Sequence, residues 1–161
     1  MSARPTAVVT LRPAGPDDCR RVWLWRNDEE TRRASFDAAP IPFEAHERWF
    51  HESLRRPDRK TYVVLTDGQP AGAARLDLSD DQAVVSLHLA PESRGRRIGP
   101  AALRALTEVA FEALGVDRLL AFVKLGNSRS LSAFEQAGFV RMGDGGESPA
   151  RIALVRSRNA G

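Results

Sequence analysis

Cysteine is almost absent from this chain: Cys19 is the single one in 161 residues, which excludes an internal disulfide and any cysteine-based zinc cluster. Lysine is nearly missing too, at Lys60 and Lys124 only, so every other basic side chain is arginine. Tyrosine occurs once, at Tyr62. No apolar run approaches the roughly 18 residues that a membrane span needs. The opening Met1-Ser2-Ala3-Arg4-Pro5 has no apolar stretch of the secretory kind. The expectation is a cytoplasmic, globular protein that does not touch a membrane. No metal is expected, because His46 and His51 stand near each other with no evident third ligand.

What is present suits one domain spanning residues 1–161, on a prior of roughly 150 residues per domain. A chain of this size buries about 70% of its unfolded surface and holds its own core. The net charge of +3 is mild, and with no recognisable DNA-binding motif it argues against a nucleic-acid partner. The arginines matter by position rather than number, because a guanidinium grips phosphate or carboxylate with two parallel hydrogen bonds.

Val8–Arg12 is a short β-branched run ended by Pro13, and reads as a first strand. Asp17 or Asp18 suits an N-cap for a short helix through Asn27. Residues 28–41 mix charges and small residues with Pro40 and read as a loop. Pro42 opens a second helix to Leu54, whose apolar side is Phe43, Trp49, Phe50 and Leu54. Strands at 62–65, 71–78 and 83–89, joined by the turns Asp67–Pro70 and Ser79–Gln82, read as an antiparallel meander.

The period then lengthens. Pro100–Leu114 is a helix with Leu103, Leu106, Ala110 and Leu114 on one face, stopped by Gly115. A strand at 119–123, a helix at 127–137 stopped by Gly138, a strand start at 139–142, a glycine-rich loop at 143–149 and a last strand at 152–155 follow. Strand, helix and strand between 84 and 123 suggest a parallel crossover. The fold class is therefore α/β, with a single mixed sheet and helices on both faces.

The chemistry concentrates where the meander ends. After Leu87-His88-Leu89 comes a loop with Arg94, Gly95, Arg96, Arg97 and Gly99, and a helix begins directly behind it. A helix N-terminus presents unpaired N–H groups and a positive dipole end, glycine lets the backbone approach closely, and three arginines add full charges. This is a pyrophosphate cradle, although its spacing is neither a Rossmann fingerprint nor a P-loop. Arg94–Ala101 resembles the acetyl-CoA loop of the GNAT N-acetyltransferases, written Gln/Arg-x-x-Gly-x-Gly/Ala. Arg94 and Gly99 match its ends, while Arg97 stands at the middle glycine, where it crowds the pyrophosphate or adds a charge to it. Asn127–Phe139 is similar to a later segment of the same family, Asn-x-x-Ser…Tyr/Phe-Glu-x-x-Gly-Phe.

The resemblance implies a GNAT fold with a mostly antiparallel sheet, acetyl-CoA as cofactor, and an acetyl transfer by direct attack of an amine. It assigns the cofactor to Leu87, His88 and Leu89 on the fourth strand, to Arg94, Gly95, Arg96, Arg97, Ile98, Gly99, Pro100 and Ala101 in the loop, and to Asn127, Ser130 and Phe134 in the later helix. A backbone N–H near Leu89 polarises the carbonyl. Many relatives carry a tyrosine at the position of Phe134 to protonate the leaving thiolate; phenylalanine has no proton to give, which leaves water, Ser130 or another group. His88, with Ser86 on the same strand face, is the candidate base, and Asp77 is a further one.

The acceptor falls to the first two helices: Trp25, Arg26, Asn27, His46 and Trp49. Trp25-Arg26-Asn27 and Glu44–Phe50 resemble a GNAT subgroup that includes aminosugar acetyltransferases of the pseudaminic acid pathway and, more distantly, ribosomal-protein and polyamine acetyltransferases. Aromatics for stacking and arginines suit a nucleotide-linked aminosugar. The alternatives are a peptide N-terminus or a polyamine as acceptor, and a non-catalytic acyl-CoA-binding module. Dimers are common among the relatives, so a homodimer is a further expectation.

Overall fold

The computed structural model describes residues 7–142 and 151–158. Its strands are β1 (Val9–Pro13), β2 (Arg59–Thr66), β3 (Gln69–Ser79), β4 (Gln82–Leu89), β5 (Arg118–Lys124), β6 (Val140–Arg141) and β7 (Arg151–Ser157). They form one sheet in the order β1-β2-β3-β4-β5-β7-β6. β1 pairs with β2, β2 with β3 and β3 with β4, all antiparallel, the last two through short turns. At the β2–β3 turn Asp67 and Gly68 both take positive φ, 49° and 82°, the backbone that matches the twist of a tight hairpin. β4 and β5 pair in parallel, as the crossover requires.

The helices are α1 (Cys19–Arg26), α2 (Glu29–Ala34), α3 (Phe43–Arg55), α4 (Ile98–Glu108) and α5 (Ser128–Gln136). Two apolar layers result, one on each face of the sheet. Val63 and Ala73 pack with Val22, Trp25 and Phe50 from α1 and α3. Val64, Leu76 and Val85 pack with Leu103, Leu106 and Phe134 from α4 and α5. The anticipated faces of α3 and α4 are the buried ones: Phe50, Leu103 and Leu106 are each about fully enclosed, at 1% exposure.

Three boundaries differ from expectation. Residues 28–41 contain α2, which has no apolar period to announce it. It forms because Asp28 caps the Thr31 N–H, and because Glu29 and Glu30 lie in its first turn and Arg32 and Arg33 in its last, each charge facing the favourable end of the helix dipole. Asp18 does not cap α1 with its side chain; its carboxylate instead accepts from Arg12, Arg21 and the Gly15 N–H. α4 starts at Ile98 rather than Pro100 and passes into a π turn at Val109–Ala113, where the Leu114 N–H reaches the Val109 carbonyl. The expected loop at 143–149 lies outside the described residues, apart from the fact that the strand before it is only Val140–Arg141.

Candidate active site

The parallel pairing of β4 with β5 covers Gln82–Val84 against Arg118–Leu120 and no more. Beyond Val84 the two strands diverge. The Ala90 N–H bonds the Ala71 carbonyl on the β3 side, and the strand alternation turns the backbone groups of Leu89 and Leu87 the other way, into the gap. The result is an open strand edge beside a cavity of about 1080 Å³ that reaches both faces of the sheet.

On the α4 side the cavity is lined by Arg94, Gly95, Arg97, Ile98, Gly99 and Pro100. No side chain caps α4, so its first N–H groups are left for an anion. Arg97, the residue just before α4, has φ +61° and ψ 20°, a left-handed conformation that glycine adopts without penalty and arginine does not. This backbone shape explains why the related loop carries glycine there. Arg94 points elsewhere. Its guanidinium bonds Asp28 at 2.6 Å, Glu30 at 2.9 Å and the Thr31 hydroxyl at 2.7 Å, so it ties the loop to α2 instead of presenting its charge to the cradle. Arg129 joins the same Glu30 at 3.1 Å, and the Lys124 ammonium bonds the carbonyl of Arg33 at 3.0 Å.

On the opposite side the cavity meets Arg26, His46, Trp49, Ser86 and His88. The indole of Trp49 has three guanidinium groups around it: Arg26 at 4.6 Å, Arg75 at 5.4 Å and Arg59 at 5.5 Å from the ring centroid. Trp49 therefore holds cations and is not a free stacking platform. His88 is pushed down to about 4, first by burial and then by Arg26 and Arg75; it is neutral at neutral pH and a poor proton acceptor for an ammonium. Burial also lowers His46. The Cys19 carbonyl can only accept, so His46 donates to it from Nε2 at 3.1 Å, and its buried Nδ1 is left without a partner among the described residues.

Residues 9–140 match the acetyltransferase (GNAT) domain family. The chain belongs to this family. It is 24% identical to the acetyltransferase PseH of Campylobacter jejuni over 123 residues, which span 76% of each protein. Among solved structures it is similar to the aminoglycoside acetyltransferase AAC(6')-Ib in complex with coenzyme A, with a TM-score of 0.82 and 20% identity over 94% of this chain and 95% of that one. A spermidine N-acetyltransferase from Vibrio cholerae, in complex with CoA and spermine, has a TM-score of 0.82 and 18% identity over 92% of this chain and 95% of that one. At these identities the structural likeness is one of fold: the GNAT sheet with its helices.

In this GNAT acetyltransferase the anticipated residues divide. Leu87, His88, Leu89, Asn127, Ser130 and Phe134 all line the cavity, with Asn127 capping α5 through the Ser130 N–H at 3.2 Å. Phe134 is also core, edge-on to Phe139 at 5.1 Å. Arg96 and Ala101 do not line it. Trp25 belongs to the apolar layer under α1, because the α1 face that carries Val22 turns it inward. Asn27 accepts from the Ile41 N–H at 2.8 Å and so braces the 28–41 segment. Asp77 is engaged by Arg59 at 2.6 Å and Arg75 at 3.0 Å, which removes it as a free base. Thr31, Lys124 and Arg129 were not anticipated. Arg75 was legible in principle, since a tight turn at 79–82 fixes the register that sets it opposite Ser86.

Proposed function

We propose that this acetyltransferase takes acetyl-CoA as cofactor and moves the acetyl group by direct attack to a primary amine of a small molecule, a nucleotide-linked aminosugar. The observation that carries the reading is the unpaired β4 edge opening into a cavity between an uncapped helix N-terminus and an arginine-rich wall. Coenzyme A is present in two of the similar structures, and the open edge of β4 with the α4 N-terminus fits an extended arm ending in phosphates.

Bound acetyl-CoA supplies the thioester; a C–N bond forms as the C–S bond breaks, the amine loses a proton and the thiolate gains one. The Leu89 N–H on the open edge is placed to polarise the carbonyl. The amine must be neutral to attack. Arg26, with Arg59 and Arg75 beside it, disfavours an ammonium at this wall and so lowers the amine's pKa, which relieves the need for a strong base. Ser86 and the neutral His88 accept hydrogen bonds there. Ser130, beside Phe134, is the side chain that can pass a proton to sulfur.

Incubation with acetyl-CoA and a UDP-linked aminosugar, read by mass spectrometry, tests the reading. The expected product gains one acetyl group. Absence of that product, beside ready acetylation of a peptide N-terminus, overturns the aminosugar assignment.

A further inference from the structure

The gap between β4 and β5 is open at the C-terminal ends of both strands, and α2 is tied to both sides of that end. Its first turn is fastened to the segment that leaves β4: Arg94 bonds the Asp28 carboxylate at 2.6 Å and the Thr31 hydroxyl at 2.7 Å. Its last turn is fastened to the other side. The ammonium of Lys124, the final residue of β5, bonds the carbonyls of Arg33 at 3.0 Å and Ser35 at 3.4 Å. Glu30, between these ties, turns one carboxylate oxygen to each side. Oε2 accepts from Arg94 at 2.9 Å. Oε1 accepts at 3.1 Å from Arg129, in the first turn of the helix that follows β5. A single side chain thus joins the two parts of the sheet where strand pairing has ended.

The ties differ in strength. The Arg94 and Asp28 side chains are 15% and 23% exposed, those of Arg129 and Glu30 63% and 54%. An exposed pair is weak and screened by salt, whereas a shielded one persists. α2 has Thr31 as its one buried residue, so little apolar contact holds it down. The segment that carries it is pinned at its two ends to each other. The Asn27 side chain accepts from the Ile41 N–H at 2.8 Å, and the Trp23 indole donates to the Ile41 carbonyl at 2.7 Å. Residues 28–40 therefore form a loop that swings without disturbing α1 or α3. Glu30, Thr31, Arg32 and Ala34 face the same cavity as Leu87 and Leu89 of the open strand edge.

We propose that α2 is a strap across the open end of the gap, pivoting at Asp28 and Arg94 and latched by Glu30 to Arg129, and that unlatching admits coenzyme A and releases it. The inference rests on coenzyme A occupying the gap and adds how it enters and leaves. Glu30 and Arg129 are positioning residues. Opening of such a segment is a step that can limit turnover.

The test is surface plasmon resonance with coenzyme A over the immobilised protein, beside hydrogen exchange of the same proteins without it. Glu30→Gln is expected to raise the association and dissociation rate constants together, each by about threefold or more, as loss of an exposed ion pair allows. The Kd then moves less than either rate. Arg129→Gln is expected to do the same, and the double variant to add nothing further. Glu29→Gln removes the same charge from the same turn, where Glu29 pairs with Arg33 at 3.8 Å, and is expected to leave dissociation unchanged. Salt should speed dissociation from the wild type and not from Glu30→Gln. Without coenzyme A, the amides of 29–34 should exchange about threefold faster or more in Glu30→Gln, while α3 keeps its wild-type protection and so shows that the variant is folded. Dissociation unchanged by Glu30→Gln, an equal change from Glu29→Gln, or faster association alone each overturns the proposal. A wild type that binds no coenzyme A sinks the reading of the gap as the donor site. Hydrogen exchange then decides the latch by itself, and unchanged exchange at 29–34 overturns it.

Discussion

Arg94 Nη2 lies 2.6 Å from the Asp28 carboxylate, so the loop in front of α4 is fastened to the residue that caps α2. The same guanidinium reaches Glu30 and Thr31. One side chain therefore links the cofactor cradle to α2, which lines the same cavity. We expect Arg94→Ala to weaken acetyl-CoA binding and to raise the acceptor KM together, and to destabilise the fold by about 1–3 kcal/mol through the acceptors it abandons. Arg96→Ala, at an exposed position off the cavity, is the control, expected to change the two binding constants little. Calorimetry with acetyl-CoA and steady-state kinetics check both; an effect of Arg94→Ala confined to acetyl-CoA would show that the link to α2 carries nothing.

Arg97 sits at φ +61°. The left-handed conformation costs a non-glycine residue about 1–2 kcal/mol, and glycine gives back roughly half of that gain through its freer unfolded chain. We expect Arg97→Gly to stabilise the protein by up to about 1 kcal/mol in urea unfolding. Acetyl-CoA affinity separates the two roles of the side chain: an unchanged or tighter Kd means that backbone shape matters here, a weaker one that the charge does.

Gly72 marks a close approach between β3 and β4. A Cβ there would lie 2.6 Å from the His88 carbonyl oxygen and 3.1 Å from Leu89 Cα, both backbone atoms with little freedom to yield. Gly72→Ala is expected to destabilise by about 1–3 kcal/mol, as overpacking does. It should also displace the β4 edge, so acetyl-CoA affinity should fall with stability. A variant that unfolds at the wild-type urea midpoint would mean that β4 yields freely.

His88, pushed down to about 4, gives a pH prediction with a definite sign. Between the ordinary histidine pKa of about 6.5 and about 4 the unfolded chain takes up a proton that the folded chain refuses. Stability attributable to His88 is therefore complete above about pH 6.5 and declines as the pH falls toward 4. His88→Gln should show a shallower decline across that window. The kcat/KM profile of the wild type should contain no inflection from His88 between about pH 5 and pH 8; an inflection lost in His88→Gln would restore the histidine as base.

The strands and the long helices were legible because burial writes a period into them: alternation in the meander, and three-and-four spacing along α3 and α4. The cofactor loop was legible from chemistry, since glycines before a helix N-terminus let an anion approach the backbone closely. α2 was not, because a six-residue helix held by a cap, a dipole and Arg94 has no apolar face. The acceptor wall was only half visible. Arg26 and Trp49 stood out in the sequence, but Arg59 and Arg75 enter through strand register, and Trp25 went to the core although its type suits a ligand. The commitment of Arg94 to carboxylates on α2 is a contact across the fold that no local pattern records.

The divergence of β4 from β5 after Val84 divides the molecule's vocabulary in two. What the open edge offers is peptide N–H and carbonyl groups, which every residue except proline supplies alike, so the side chains that frame the donor's path are free to drift in size and character. What the far wall offers is a particular set of side chains, each replaceable by one substitution. One substitution on the far wall can therefore change what that wall accepts, while the peptide groups of the β4 edge stay as they are.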